Sequence, residues 1–363
     1  MTAATSHATQ PRLRASRPVV LVDGRERPAL AEALLALSVA EDVQGLARCE
    51  ATFGNWGPSS GDTGFLYFDR ALFDFGKALA IKVGADAVFD GRITALEGRF
   101  QPASPPELVV LAEDRLQEFR LTRRTRTFAS VSDADVARRI ASDHGLTATV
   151  SVTGPAHAVL AQVNQSDLAF LRDRARAIEA EVWVDGRMLH LAPRASRAGG
   201  AIRLGYGNEL RECTATADLA GQHTAVVAAG WDVSAKRALR DEATDAVIAG
   251  ELAGGVSGPA ALKTAFGDRK ETLAHVATAT AQENRARAEA FLRQTARRFV
   301  VARGTAEADG RIRAGATVEL TGLGPLFSGK YQVAEARHLF DGGQGLRTEF
   351  VAERPGLGGG GKS

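Results

Sequence analysis

The sequence predicts a β-rich α+β fold in which two antiparallel β units flank a small α/β module. Three observations lead there. Short segments of alternating apolar and polar residues, closed by turn dipeptides about every ten residues, fill the chain before residue 125 and return after 201. Between 126 and 192 the apolar period changes from that of a strand to that of a helix. The length of 363 residues, with 45% hydrophobic and 24% charged residues, is that of a soluble chain of two or three ordinary domains.

Taken in order, residues 1–18 are polar, broken by Pro11 and Pro18, and read as a flexible arm. Residues 19–22 form a short apolar run stopped by Asp23 and Gly24. Residues 28–40 carry two signals: Ala, Leu and Glu favour a helix, whereas Leu35, Leu37 and Val39 alternate as in a strand. Ala47, Cys49, Ala51 and Phe53 alternate with Arg48, Glu50 and Thr52, the pattern of a half-buried strand. Residues 79–83 repeat it, Val88 and Phe89 run into a turn at Asp90 and Gly91, Ile93 reopens a strand, and 108–111 is another. Residues 19–125 therefore read as an antiparallel barrel or sandwich.

Residues 126–200 form the module. Ser132 caps a helix over 133–144, with Asp135 at the third position, Val131 placed to staple onto Val136, and Gly145 as the left-handed stop. A second helix opens at Ser166 and Asp167 and carries the stripe Leu168, Leu171, Ala175, Ile178 and Val182. Residues 182–184 and 188–191 make a hairpin about Asp185 and Gly186, and 193–200 reads as a linker. Strand alternation resumes at Ile202, 214–217 and 224–229, ending at Gly230, Trp231 and Asp232. Residues 240–272 have no sustained period and read as mostly irregular. Residues 273–299 read as the longest helix, striped by Leu273, Val276, Thr280, Asn284, Ala288, Phe291 and Thr295, with Arg293, Arg297 and Arg298 suited to its C-terminal dipole. Strands over 316–321, 331–338 and 346–353 complete the second unit, 201–356, whose helical insertion spans about 240–299. Residues 357–363 read as a flexible Gly-rich tail.

The composition excludes several functions. Lys and Arg number 45 against 43 acidic residues, so the net charge of +2 gives no field that would hold nucleic acid. The basic run 120–126 lacks interleaved aromatics and reads as an exposed strand face, or one pairing with a neighbouring subunit's acids. No stretch is apolar enough for a membrane span, and the opening residues lack the apolar segment of a secretory signal. Cys49 and Cys213 are too few for a disulfide framework or a four-Cys zinc site and read as buried thiols. Residues 356–363 spell a phosphate-loop pattern without the helix it requires. Residues 57–61 spell a nucleophile-elbow pattern without its strand-to-helix turn. His7, His144, His157, His190, His223, His275 and His338 share no metal-binding spacing. No catalytic residue, cofactor site or metal site is expected. Two numbers stand out: 38 glycines, read as turns, and 38 arginines against seven lysines.

Five segments stand in order along the chain: 89–93 (FDGRI), the helix over 133–145, 163–171 (VNQSDLAFL), 230–232 (GWD), and the closing set of 314–315, 327–333 (FSGKYQV), His338 and 348–350 (TEF). Together they resemble the phage late control protein D family, which is related to the hub half of VgrG spike proteins. The resemblance spans roughly residues 19–354. It implies a phage tail-hub-like fold with two similar antiparallel β-barrel domains, 19–125 and 201–356. It also implies a structural homotrimer, a pseudo-sixfold ring joining the inner tube to a spike and contacting other baseplate proteins. Because the chain stops at Ser363, where VgrG-type chains continue into a needle, a separate spike protein is expected. Assembly in the bacterial cytoplasm, as part of a virion or phage-tail-like particle, follows from the same resemblance. The competing expectations are a tail-associated cell-wall-degrading enzyme and a DNA-contacting channel that uses 120–126.

Overall fold

The computed structural model describes residues 17–59, 62–154, 156–197, 199–232, 235–274, 278 and 280–358. Thirteen strands belong to one sheet, antiparallel at every pairing but one. Within it the same six-strand plan occurs twice. The first half is built from Val19–Val22, Leu34–Asp42, Arg48–Gly54, Ala78–Val83, Asp86–Arg99 and Glu107–Glu113. The second is built from Ile202–Gly205, Leu210–Ala217, Val300–Glu307, Thr317–Thr321, Gly329–Asp341 and Gly345–Arg354. Counting strands first to sixth within each half, the hydrogen-bonded order is first, fourth, fifth, sixth, third, second in both.

The irregularities repeat as well. A bulge interrupts the second–third pairing after Leu34 in one half and after Leu210 in the other. Another interrupts the fifth–sixth pairing after Ile93 and after Val333. Since a bulge adds one residue and bends its strand, bulges at matching places give the halves matching curvature. The halves also differ: the first and fourth strands are antiparallel in the first half and parallel in the second, the thirteenth strand, Arg25–Glu26, extends the first half only, and a bulge after Ile81 in the first half's fourth–fifth pairing has no counterpart in the second.

Each half wraps its own core. Val20, Val39, Phe53, Ile81, Ile93 and Val110 fill the first. Leu204, Leu210, Ala302, Val318, Val333 and Phe350 fill the second. Alternation along the strands puts these side chains on one face. Neither half closes its main hydrogen-bonded path into a ring among the described residues; Tyr206 and Leu210 form a single bridge in the second. Instead the path continues from one half into the other. Leu34–Asp42 pairs antiparallel with Gly329–Asp341 over seven residue pairs, and Phe340 crosses this seam to join the first core.

The module has a separate core of Phe128, Val136, Ile140, Leu168, Leu171, Val182 and Leu189. Its first helix, Asp133–Asp143, starts with the expected capping box between Ser132 and Asp135, and Gly145 follows it at φ 66°. The second helix, Asp167–Ala177, ends earlier than its stripe suggested. Glu179 turns the chain at φ 59°, so Val182 lies on the strand Ala180–Asp185. That strand and Met188–Pro193 make the expected hairpin.

Several expectations are corrected. Residues 28–42 satisfy both of their signals in turn, as the helix Pro28–Ala33 and then the strand Leu34–Asp42. Asp90 and Gly91 do not turn the chain but lie inside the single strand Asp86–Arg99. Gly91 is needed there for room, since a Cβ would collide with the Glu113 carbonyl oxygen. Residues 240–272 are largely ordered, as parts of the strands Arg237–Thr244 and Lys270–Leu273 around the helix Gly258–Phe266. The long helix starts later than expected, as Ala281–Ala296 capped by Thr280; Val276 lies outside the described residues. Gly230, Trp231 and Asp232 end the strand Ala225–Asp232, which belongs to a separate three-stranded sheet rather than to the second half. That sheet packs on the long helix through Val226, Ala228, Ala243, Ala288 and Leu292. Of the tail, Gly356–Leu357 pairs with Val256–Ser257, and 359–363 lie outside the described residues. Residues 1–16, His275, Ser60 and Gly61 also lie outside them; Ser59 and Asp62 pair across the 57–61 motif as a hairpin.

Candidate functional site

The seam between the halves is fastened by buried side chains as well as by strand pairing. Glu41, on Leu34–Asp42, is buried. It accepts two hydrogen bonds from the Arg313 guanidinium and one from the Ala314 amide at 2.9 Å, with Arg197 3.9 Å away. Burial alone would push this carboxyl up, but Arg313 and Arg197 outweigh it and hold it below the usual carboxylate range. Opposite Val39 lies His338, buried, its Nδ1 3.0 Å from the Thr348 hydroxyl; burial lowers its pKa to about 4.

Arginines also fasten the other junctions. Arg172 of the module donates to the carbonyls of Gln44, at 2.7 Å, and Gly45, at 2.6 Å, in the first half. Arg194 is buried in what the sequence suggested was a linker, where it donates to Glu353 and Gln332 of the second half. Arg197 stacks over Trp183 at 4.9 Å and pairs with Glu181. Arg297 joins Glu179 of the module to Glu251 at 2.5 and 2.6 Å. A planar guanidinium with several donors can serve two partners at once, which an ammonium does less well. The excess of arginine over lysine is thus put to structural use.

The basic run 120–126 is likewise occupied within its own chain. Arg126 pairs with Asp143 at 2.7 Å and Asp167 at 2.8 Å, Arg124 with Asp167 at 3.3 Å, and Arg120 with Glu113. Asp167 is buried, which opposes its charge, yet bonds from Gln162 and His144 and the nearby arginines hold it below the usual range. Asp114 moves the other way: burial, with Glu41 and Glu113 nearby, pushes it up to about 6. A raised carboxyl can mark a general acid. This one is taken up by the amides of Ala47, at 2.7 Å, and Leu116, at 2.9 Å. Among the described residues no group of three or more His, Cys, Asp or Glu is gathered to hold a metal ion, and no helix is long and apolar enough to cross a membrane.

A polar groove of about 800 Å³ lies across the seam, with Arg48, Arg303, Arg337, Asp42, Glu335 and Glu349 in its lining. Both signs of charge line it. No single sign dominates.

Within the repeated plan of the large sheet, two stretches facing away from the seam are open on one side among the described residues. Leu210–Ala217 forms one end of the thirteen-stranded path; beyond the Tyr206 bridge at Leu210, it is paired along one side only, with Val300–Glu307. Cys213, expected to be buried, is half-buried on this edge, whereas Cys49 is buried. The second stretch is the end of Asp86–Arg99. Residues 86–93 are covered by Ala78–Val83 and the Gly76 and Lys77 that precede it, but from Thr94 on this strand is paired, among the described residues, only on its other side, with Glu107–Glu113. Next to it Phe100 is 66% exposed and leans on Phe65 and Phe68, with Trp56 beside Phe65. The sequence contains both stretches as ordinary alternating strands. What was missed is that each lacks a neighbour, which only topology reveals.

Comparisons with known proteins agree with this architecture. A 43 kDa tail protein of prophage MuSo2 from Shewanella oneidensis has a similar structure at a TM-score of 0.68 and 12% identity, over 93% of this chain and 98% of that one. A tail protein from Neisseria meningitidis is similar at 0.66 and 12%, over 94% and 97%. The E. coli c3393 protein, described as a type VI secretion system component resembling T4 tail proteins gp27 and gp5, is similar at 0.55 and 11%, over 92% and 76%. The chain therefore has a phage tail protein fold. No curated protein matches it in sequence. The family model that matches is also not that of late control protein D. It is that of the Alg8 N-terminal domain, over residues 15–341, from the first strand of the first half to the seam strand of the second. By that match the chain belongs to the Alg8 N-terminal domain family.

Proposed function

We propose that the chain is a tail hub: a non-enzymatic, homotrimeric component of the baseplate of a contractile phage tail or phage-tail-like injection system. The observation that carries this reading is the six-strand plan occurring twice in one chain. Three copies then present six similar halves in alternation. A ring of that kind can meet a sixfold tube on one face and a threefold spike on the other, and it closes without an open-ended filament. On this reading residues 19–125 and 201–356 are the alternating ring units and 126–200 braces them. Assembly takes place in the bacterial cytoplasm, before incorporation into the particle. The tail-protein fold supports the reading, as does the type VI component among the similar structures. So do the balanced charge and the self-paired basic run, which suit a part held by protein contacts.

Light scattering on the purified chain, alone and with its spike partner, tests it. Three copies of a 38.3 kDa chain give about 115 kDa. A particle that stays at the mass of one chain in both conditions sinks the proposal. Release of peptidoglycan fragments that stops on changing a single carboxylate would replace it with the enzyme reading.

A further inference from the structure

Within one chain the seam joins the second strand of the first half to the fifth strand of the second half. The repeated plan leaves the reciprocal pair unjoined: the second strand of the second half and the far end of the fifth strand of the first half. We propose that these two uncovered stretches pair with each other between neighbouring copies, so that the seam inside one chain is repeated between chains. The inference rests on the homotrimeric reading above and identifies its interface.

The matching bulges fix the correspondence. Aligning the bulge after Leu34 with that after Leu210 places Cys213 at the position of Leu37, Ala215 at Val39 and Ala217 at Glu41. Aligning the bulge after Ile93 with that after Val333 places Leu96 at Ala336, Gly98 at His338 and Phe100 at Phe340. In the seam, Phe340 lies opposite Leu37, His338 opposite Val39 and Ala336 opposite Glu41. Between copies the same register sets Phe100 opposite Cys213, Gly98 opposite Ala215 and Leu96 opposite Ala217. A large side chain meets a small one at the first and last of these, and no like charges face each other.

Exposure points the same way. Phe340, Ala336 and His338 are 5%, 2% and 1% exposed because the partner strand covers them. Phe100, at the position equivalent to Phe340, is 66% exposed in a single chain. Phe340 crosses its seam into the first core; Phe100 crosses the corresponding seam into the second core of the next copy, where Cys213, Ala215 and Ala217 line the approach. The pairing covers two strand edges that would otherwise offer unpaired backbone to any passing strand. It lacks one fastening of its internal counterpart, because Ala217 stands where Glu41 receives Arg313. The contact between copies is thus the weaker of the two seams.

Because cross-strand pairs have their Cβ atoms about 5 Å apart, close to disulfide reach, Phe100→Cys brings a thiol to the native Cys213 of the next copy. Mild oxidation of this full-length variant is expected to give covalent dimers and trimers on a non-reducing gel. They should vanish on adding Cys213→Ala and persist on adding Cys49→Ala. Amide exchange in the unmodified protein gives a second readout, with 95–101 slowing as dilute chains associate. Native mass is measured in parallel. A sample that is trimeric by mass but gives no Cys213-dependent cross-link, or no slowing at 95–101, overturns this interface and leaves the trimer standing. A sample that is monomeric throughout overturns both.

Discussion

His338 sits in the seam with its imidazole buried, so the charged form is disfavoured and its pKa falls to about 4. In the unfolded chain the ring titrates near the ordinary value of about 6.5. As pH falls through this window the unfolded chain takes up the proton first, so stability present above about pH 6.5 is progressively lost toward pH 4. Lowering the pH from 7 to 5 is expected to cost about 2 kcal/mol through this group. Urea midpoints at the two pH values should show that loss in the native protein and much less of it in His338→Gln. An unchanged pH dependence in the variant would refute the assignment. Glu41 acts in the same sense but lower on the scale: its folded value is depressed, so its contribution is lost only as pH drops below the ordinary carboxylate range. Gly91 is constrained by its neighbours in a different way. Its glycine reads as punctuation in the sequence, yet it serves a close backbone approach inside a strand. Gly91→Ala is expected to destabilise by about 1–3 kcal/mol, measurable as a lower urea midpoint with unchanged slope. Glycine chemistry is legible from sequence; which of its two uses applies depends on a residue 22 positions away.

At the level of elements, the local signals were legible where one physical cause dominated. The capping box at Ser132, the left-handed Gly145 and the alternation at 79–83 and 47–53 all appear where expected. Signals failed where one element handed over to another within a few residues, as at 28–42, where helix propensity governs up to Ala33 and strand alternation after it. The junctions were not legible at all, because Glu41 and Arg313 are 272 positions apart in sequence. Arg313→Ala would leave Glu41 buried without its main partner, an expected loss of about 3–5 kcal/mol. The double variant Glu41→Leu with Arg313→Met should recover most of it, since it removes both charges from the buried site. Denaturation of the two single variants and the double variant checks this; a double variant no more stable than either single would show that the pair matters for more than compensating burial.

At the level of the whole molecule, the two β units and the module between them could be read from the change of period. Their fusion into one sheet could not. A strand that is covered on both sides and one that is covered on a single side have the same alternation, and only pairing distinguishes them. Phe100 and Phe340 show the practical difference. Phe340→Ala is expected to lower the stability of the single chain by about 3–5 kcal/mol, as for a buried core ring. Phe100→Ala should change it little and act instead on the association proposed above, raising the concentration at which a species of about three 38.3 kDa chains forms. Melting of dilute chains and mass against concentration separate the two effects. Equal melting losses in the two variants would remove the distinction.

The seam also sets an order in time. The strand Leu34–Asp42 leaves the ribosome early, but its partner Gly329–Asp341 follows only after roughly 290 residues, or roughly 15–60 s at bacterial elongation rates. During that interval the first core lacks Phe340 and Leu346, and its seam edge is bare. Nascent chains halted before residue 329 should therefore remain protease-sensitive in their first half, and the ring proposed above would have to wait for finished chains. Completion of synthesis thus becomes a checkpoint on closing the first core, enforced by the order in which the strands are made.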